Sequence, residues 1–158
     1  MVHNLKIKKI IDDLDNINYG REGDVAIDLR ASGHWIINLD DERKEISQND
    51  YALQPGERVL IKTGVKMAIP PGNYGHICGR SGLAMKNGLQ PLGGVIDENY
   101  REELGVILMN HGNKTYTLTK NEKVAQLIIK PYTKVNIEYV QDLDKTSRDE
   151  GFGSSGRY

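Results

Sequence analysis

The chain has 158 residues, a length that fits one domain with a substantial buried core. Acidic and basic side chains are interleaved and the formal net charge is −1, so no basic face indicates nucleic-acid binding, and an anionic ligand would need a small local site. Cys78 is the single cysteine, which excludes an internal disulfide. Because no apolar run reaches membrane-spanning length and the N-terminus lacks a signal-type segment, we expect a cytoplasmic protein without a membrane or nucleic-acid partner.

Short apolar stretches with a two-residue period, broken by Gly, Pro, Asn and Asp, predict an all-β fold. In chain order, the predicted strands are Leu5–Ile10, Val25–Leu29, Arg58–Ile61, Val65–Ile69, Gly75–Ile77, Gly105–Met109, Val124–Ile129 and Val135–Val140. Turn-forming residues separate them at Gln54–Gly56, Pro70–Asn73, His111–Lys114 and Lys120–Glu122.

One helical turn is predicted at Ser81–Lys86. Ser81 or the residue before it fits the N-cap position, and Gly88 fits the position that ends the helix. The start of a helix leaves backbone N–H groups free to face an anion.

Two segments depart from the strand pattern. His34–Tyr51 contains Trp35 and the charged run DDERKE, which is typical of a solvated loop or a hairpin insertion without a catalytic role. From Gln141 onward the hydrophobic pattern stops, and the remaining residues are too polar and glycine-rich to pack on a core. We therefore expect one folded domain of residues 1–140, which would carry any active site, followed by an arm of residues 141–158 that is mobile without ligand.

Arg80, Ser81 and Gly82 form the first cluster of candidate binding residues. The arginine offers a planar fork of donors to phosphate oxygens, the serine adds a hydroxyl, and the glycine lets a ligand approach the backbone. Taken alone, these residues fit a surface turn with a solvated arginine better than a binding site.

The predicted hairpin Gly94–Leu104 carries the candidate catalytic group, Asp97. An aspartate beside bound phosphates can orient a water molecule and take its proton for attack at phosphorus. The alternative is that Asp97, Glu98 and Asn99 only form a turn, which these residue types commonly do.

Two polar residues stand out among apolar neighbours, Asp28 in GDVAIDLRAS and Gln126 in VAQLII. On the residues alone, Asp28 fits a strand-end aspartate and Gln126 fits an outward polar residue of an edge strand. The tail is also unusual, because it places Arg148 and the only phenylalanine of the chain, Phe152, in a glycine-rich segment.

These blocks follow one another along the chain as GDVAIDLRAS, GRSG, GVIDENY, VAQLII and RDEGFGSSG. In this order, and at close to these spacings, they resemble the dUTP diphosphatase (dUTPase) family from Gly23 to Gly156. The resemblance implies a jelly-roll-like distorted β-barrel with one short helix and a flexible C-terminal arm. It also implies a homotrimer, with each active site assembled from several subunits and closed by the arm of a neighbour.

The resemblance also assigns roles to the candidate residues. Asp97 matches the base that activates water for attack on the α-phosphorus of dUTP, and Mg²⁺ is carried in by the triphosphate. Tyr100 matches the ring that packs on deoxyribose, and Asp28 matches a residue that anchors the phosphate-binding arginine or orders water around the metal. The remaining matches to substrate contacts are the main chain of Gly94, Val95 and Ile96 and the ring of Phe152 for uracil, and Arg80, Ser81, Gly82, Gln126, Arg148, Gly153 and Ser154 for the phosphates.

The implied reaction is hydrolysis of dUTP to dUMP and pyrophosphate, which limits uracil incorporation into DNA and supplies dUMP for thymidylate synthesis. A dCTP deaminase would share the fold, but it needs a proton-transferring glutamate where this chain has Ile107. Two further hypotheses are a non-catalytic nucleotide-binding protein on the same scaffold and a plain β-sandwich binding module.

Overall fold

The computed structural model describes residues 4–39 and 42–146. Within these ranges the chain forms thirteen strands and one short helix, which confirms the predicted all-β class. The strands are β1 (Lys6–Lys9), β2 (Ile27–Arg30), β3 (His34–Leu39), β4 (Glu42–Ser47), β5 (Asp50–Leu53), β6 (Arg58–Lys62), β7 (Val65–Ala68), β8 (Asn73–Cys78), β9 (Leu89–Leu92), β10 (Val95–Ile96), β11 (Gly105–Asn110), β12 (Tyr116–Thr119) and β13 (Lys123–Pro131). The helix α1 spans Ser81–Asn87, and no helix in the described ranges is long and apolar enough to cross a membrane.

All pairs of these strands are antiparallel, and they build four sheets. Two sheets are large, in the orders β10-β8-β13-β2 and β4-β3-β6-β11-β9, and two are small, β1-β7 and β12-β5. The sheets are separate hydrogen-bonded units, so the jelly-roll-like arrangement of the described strands is open rather than a closed barrel.

One hydrophobic core holds the four sheets together, because every sheet contributes buried residues to the same cluster. Among the largest fully buried side chains are Leu29, Trp35, Leu53, Ile61, Leu108, Leu118 and Leu127. Burying one such side chain stabilises the fold by about 1.5–3 kcal/mol. In β2, the alternation of buried Ile27 and Leu29 with half-buried Asp28 and Arg30 turns the polar side chains away from this core.

The segment His34–Tyr51 forms a hairpin, one of the two forms expected for it, and its first strand belongs to the core. β3 pairs with β4 and also with β6, which joins the segment to the five-stranded sheet. Trp35 is fully buried, its indole N–H donates to the carbonyl oxygen of Gln48 at 3.0 Å, and its ring stacks on Tyr51. Because of this pairing, the solvated-loop alternative is wrong. The residues of β4 are mostly charged and exposed, so the sequence did not reveal the strand.

The predicted strand Val135–Val140 is also wrong, because these residues form no strand and are exposed. Val135, Ile137 and Tyr139 alternate as strand residues do, but their exposed fractions are 70%, 80% and 96%. A strand needs a neighbouring edge to satisfy its hydrogen bonds. No described strand pairs with this segment, so its two-residue period is a local pattern without a partner in the described part of the chain.

Two predicted turns are closed by the same kind of contact, a hydrogen bond from a tyrosine hydroxyl to the glutamate six residues later. Tyr51 donates its hydroxyl to Glu57 before β6, and Tyr116 donates to Glu122 before β13. In each case the second carboxylate oxygen accepts a backbone N–H within the turn. Burial, followed by the hydrogen bond to Glu122, raises the pKa of Tyr116 to about 12. Because β5 and β12 pair with each other, the two contacts fix both ends of this small sheet.

Asn110, at the end of β11, is completely buried, and its amide has three partners. Its Nδ2 donates to the carbonyl oxygens of Leu53 at 3.0 Å and Lys114 at 2.9 Å, while its Oδ1 accepts the N–H of Gly112 at 2.9 Å. The side chain therefore ties β5 and the turn after β11 to the five-stranded sheet.

Replacing Asn110 with leucine leaves these three backbone groups without partners. We expect Asn110→Leu to lower the free energy of unfolding by about 2–4 kcal/mol, since each unsatisfied buried group costs about 1–3 kcal/mol. Thermal unfolding followed by circular dichroism, at one protein concentration, measures the change. Asn113→Leu, at an exposed position of the same turn, serves as the matched control and should alter stability by less than about 0.5 kcal/mol; equal midpoints for the two variants would contradict the role of Asn110.

Candidate active site

Asp28 is held between two cationic side chains. Its Oδ1 lies 3.3 Å from Arg80 Nε, and its Oδ2 lies 2.6 Å from Lys123 Nζ. Arg80 is also fixed from a second side, because its Nη1 donates to the main-chain oxygen of Lys123 at 3.1 Å. The arrangement orients the Arg80 guanidinium and leaves one net positive charge on the three side chains.

Gln126 joins this group through strand register. It lies in β13 opposite Asp28 of β2 on one side and Cys78 of β8 on the other. Its Nε2 donates to the carbonyl oxygen of Gly79 at 2.7 Å, which fixes the chain just before Arg80.

The helix α1 begins next to this group. Arg80, the residue before Ser81, occupies the N-cap position with an extended backbone, which is one of the two expected positions. However, no side chain makes a capping hydrogen bond to the helix. Gly88 ends the helix in the left-handed conformation, with a φ of 69°, as expected. Ser81 and Gly82 are exposed, and a Cβ at Gly82 would meet no atom within 4 Å, so the described chain alone gives no steric reason for this glycine.

These residues line a cleft of about 670 Å³, which we call the phosphate cleft. The expected residues on its wall are Asp28, Arg80, Ser81, Gly82 and Gln126. Three cationic residues on the same wall, Arg21, Lys86 and Lys123, were not among the sequence-based candidates. Asp24 lines the same wall, so four cationic side chains, Arg21, Arg80, Lys86 and Lys123, stand against two carboxylates, Asp24 and Asp28, and the wall is positive.

Lys123 was missed for a structural reason. It stands three residues before Gln126, and regular alternation would place the two side chains on opposite faces of β13. The pairing of β13 with β2 shifts register between Lys123 and Ala125, and both Val124 and Ala125 are buried. This β-bulge turns Lys123 to the face that carries Gln126.

The hairpin with Asp97 begins at two glycines that require left-handed backbone, Gly93 with a φ of 67° and Gly94 with a φ of 110°. A Cβ at Gly94 would lie 2.7 Å from the carbonyl oxygen of Ile77. Ile77 donates its N–H to Gly94 at 2.8 Å, and β10 then pairs Val95 and Ile96 with β8. The main chain of Gly94–Ile96 is therefore held in register against β8.

Asp97 follows directly after β10, and its side chain is exposed. It makes no hydrogen bond or ion pair with any side chain or backbone group in the described ranges, so its carboxylate is open to an incoming water or ligand. The main chain turns here, with the N–H of Tyr100 donating to Asp97 at 3.1 Å. The Tyr100 ring is 38% exposed and its hydroxyl donates to the carbonyl oxygen of Glu103.

Asp97 lines a second cleft, of about 640 Å³, which we call the hairpin cleft. Its wall consists of Tyr74, Val95, Asp97, Glu98, Asn99, Tyr132 and Lys134. The two clefts share no residue. The expected site residues are thus divided between two places in one chain, and Arg148, Phe152, Gly153 and Ser154 lie outside the described residues.

The sheet order explains this separation. Asp97 follows β10, one edge strand of the four-stranded sheet, and Asp28 lies in β2, the other edge strand. Three strand spacings of about 4.8 Å, together with the displacement along the strands, put the two aspartates roughly 15–20 Å apart.

Comparison with known proteins gives consistent results. The family model described as dUTPase matches residues 46–156. The deoxyuridine 5'-triphosphate nucleotidohydrolase of Clostridium tetani is 39% identical, with 98% of each chain covered. That of vaccinia virus is 49% identical over 111 residues, which are 70% of this chain and 75% of the viral one.

Solved structures share the fold. The dUTPase of Staphylococcus bacteriophage 80alpha with dUPNHPP has a TM-score of 0.79 and 24% identity, with 98% of this chain and 99% of the phage chain covered. A mutant dUTPase of phage phi11 of S. aureus, whose structure describes the coordination of a structural Mg(II) ion, has a TM-score of 0.72 and 21% identity, with 89% of this chain and 98% of the phage chain covered. The family match over residues 46–156 and the identity along nearly the whole chain establish that this chain belongs to the dUTPase family.

Proposed function

We propose that this protein hydrolyses dUTP to dUMP and pyrophosphate, which limits uracil incorporation into DNA and supplies dUMP for thymidylate synthesis. The observation that carries the proposal is the 39% identity, over 98% of the chain, to a deoxyuridine 5'-triphosphate nucleotidohydrolase. The two clefts supply groups suited to the two ends of such a nucleotide.

The phosphate cleft binds the triphosphate. Arg80 uses Nε and Nη1 for Asp28 and Lys123, while its Nη2 has no partner among the described residues and is available to a phosphate oxygen. Ser81 adds an exposed hydroxyl, Gln126 adds its amide, and the backbone at Gly82 is accessible. Asp28 acts on the substrate through Arg80, whose orientation it fixes.

Magnesium is bound through the substrate triphosphate. Mg²⁺ prefers phosphate, carboxylate and water oxygens, and the carboxylates of Asp24 and Asp28 both line the phosphate cleft. Because Asp28 already pairs with Arg80 and Lys123, it would act on a bound ion by ordering the water around it. When bound, the ion withdraws charge from the α-phosphorus. Within the described ranges, no group of three or more His, Cys, Asp or Glu side chains is arranged to hold a metal.

The hairpin supplies base recognition and the general base. The main chain of Gly94, Val95 and Ile96 reads the uracil edge, and the Tyr100 ring packs on deoxyribose and excludes a 2′-hydroxyl. Asp97 takes a proton from a water molecule as its oxygen attacks the α-phosphorus. The bond from the α-phosphorus to the bridging oxygen breaks, and pyrophosphate leaves.

Each active site is shared between subunits of a homotrimer. The support is the separation of roughly 15–20 Å between Asp97 and Asp28, which lie on opposite edges of one sheet and line clefts that share no residue. The exposed apolar residues Val135, Ile137 and Tyr139 support the same conclusion, since they offer a strand pattern to a neighbouring subunit.

Residues 141–158 close over the bound nucleotide. Stacking of Phe152 on uracil contributes about 1–3 kcal/mol, whereas ordering each arm residue costs about 1–2 kcal/mol of backbone entropy. Stacking alone is insufficient, so closure also needs contacts from Arg148, Gly153 and Ser154 to the phosphates. The arm therefore distinguishes the triphosphate from the monophosphate.

We expect pyrophosphate release from dUTP with Mg²⁺ to exceed release from dTTP, dCTP and UTP by at least about 100-fold in kcat/KM. The 5-methyl of thymine clashes with the hairpin, cytosine presents the wrong hydrogen-bonding edge, and Tyr100 excludes the ribose of UTP. Because Ile107 cannot transfer protons, dCTP should release no ammonia. Pyrophosphate and ammonia assays on the same samples provide the measurement.

Asp97→Asn separates catalysis from binding in this assay. The variant should lose at least about 100-fold in kcat, because general-base catalysis contributes about 10²–10⁴-fold, and should still be stabilised by dUTP in a thermal shift experiment. A wild-type protein that binds dUTP without releasing pyrophosphate would support a non-catalytic binding role, and a fully active Asp97→Asn protein would remove Asp97 as the base.

A mixture of two inactive variants tests the shared site. Asp97→Asn and Arg80→Ala damage different clefts, so a mixed trimer forms some sites with an intact Asp97 from one subunit and an intact Arg80 from another. After equal amounts are unfolded and refolded together, about a quarter of wild-type activity should return. If each site belonged to one chain, the mixture would stay inactive; the variants refolded separately are the control.

Deletion of Arg148–Tyr158 tests the arm. The truncated protein should keep its unfolding temperature and lose at least about tenfold in kcat/KM for dUTP, because the closing contacts are gone. Deletion of Arg157 and Tyr158 alone, beyond the family match that ends at residue 156, is the control and should keep wild-type activity. A normal kcat/KM in the longer deletion would refute closure by the arm.

A further inference from the structure

The hairpin with Asp97 is joined to its sheet by a very short ladder. β10 contributes two residue pairs, Val95 with His76 and Ile96 with Gly75. Immediately afterwards the chain turns, from Asp97 to Tyr100. Two pairs fix the main chain up to Ile96, but they do not by themselves fix the direction of the turn that follows, because a two-residue strand is marginal.

Glu98 anchors this turn to the rest of the domain. Its Oε2 accepts the backbone N–H of Gly72 at 2.7 Å and the hydroxyl of Tyr132 at 3.0 Å. Beyond the β10 ladder, these are the two hydrogen bonds that join residues 97–101 to distant parts of the described chain. The other hydrogen bonds of the turn stay within residues 97–103.

The two partners of Glu98 are themselves fixed. Gly72 precedes β8 and Tyr132 follows β13, and the carbonyl oxygen of Gly72 accepts the N–H of Tyr132 at 3.1 Å. The adjacent residues Asn73 and Pro131 are the last pair of the β8–β13 ladder. The hydrogen bond from Gly72, and then that from Tyr132, lower the pKa of the Glu98 carboxyl, so the acceptor is charged at neutral pH. Glu98 therefore links the turn to a rigid end of the sheet.

We propose that Glu98 is a positioning residue for the reaction, which holds the turn so that the Asp97 carboxylate points at the reactive phosphorus. This inference rests on the proposed function, in which Asp97 is the general base. Base recognition should be independent of Glu98, because Gly94–Ile96 stay in register with β8 through their own hydrogen bonds. Glu98 thus affects the rate of the chemical step and not the affinity of the uracil pocket.

The test compares kcat for dUTP with the Kd for dUMP in Glu98→Ala and Glu98→Gln. A displacement of about 1 Å at a reacting group costs about 100-fold, so Glu98→Ala should lose about 10–100-fold in kcat while the Kd for dUMP rises by less than about threefold. Glu98→Gln should recover kcat to within about threefold of wild type, because its carbonyl oxygen, in the place of Oε2, can accept from both Gly72 and Tyr132. A merely structural role would not give this rescue together with unchanged dUMP binding.

Tyr132→Phe, combined with Glu98→Ala, forms a double-mutant cycle. Its own loss in kcat should be smaller than that of Glu98→Ala, and the double variant should lose no more than Glu98→Ala alone, because both substitutions break the same link. Glu102→Ala is the matched control: it removes a nearby glutamate of the same loop, ion-paired to Lys66 at 2.9 Å, and should keep kcat within about twofold.

Three outcomes would overturn the inference: a Glu98→Ala protein with wild-type kcat, losses in kcat and dUMP affinity of equal size, or an equal loss in Glu102→Ala. These outcomes differ from failure of the proposed function. In that case the wild-type protein would release no pyrophosphate from dUTP, or Asp97→Asn would remain active, before any Glu98 variant is compared.

Discussion

The antiparallel pairing of β8 with β13 is the interaction on which both clefts depend. Six residue pairs fix these strands against each other. At one end, the ladder places Gln126 beside the loop that carries Arg80; at the other, it ends next to Gly72 and Tyr132, which hold Glu98. One ladder therefore sets both clefts at a fixed separation.

Electrostatics in the phosphate cleft follow from the same geometry. A lone carboxylate near a triphosphate would repel it, but Asp28 lies between Arg80 and Lys123 and is compensated by both. Asp28 therefore orients the Arg80 guanidinium and does not repel an anionic ligand strongly. Arg21 and Lys86 lie on the same wall with one further carboxylate, Asp24, so the wall stays positive in a protein whose overall charge is only −1. The local field, and not the net charge, suits the cleft to a polyanion.

The sequence predicted the features that depend on local chemistry. The all-β class, the helix that ends at Gly88, and the grouping of Asp28, Arg80 and Gln126 were all predictable from period, turn residues and family blocks. It could not predict features that arise from pairing between distant strands. Lys123 reaches the cleft through a bulge opposite β2, and the period of Val135–Val140 predicted a strand although no described strand is available to pair with it.

Trp35 has a practical consequence for spectroscopy. It is the only tryptophan in the chain, it is fully buried, and it lines neither the phosphate cleft nor the hairpin cleft. Intrinsic emission excited at the indole band will therefore report on the integrity of the β3–β4 hairpin and stay nearly silent when nucleotide enters. A fluorophore introduced near the hairpin cleft would consequently report on that cleft against a constant internal reference.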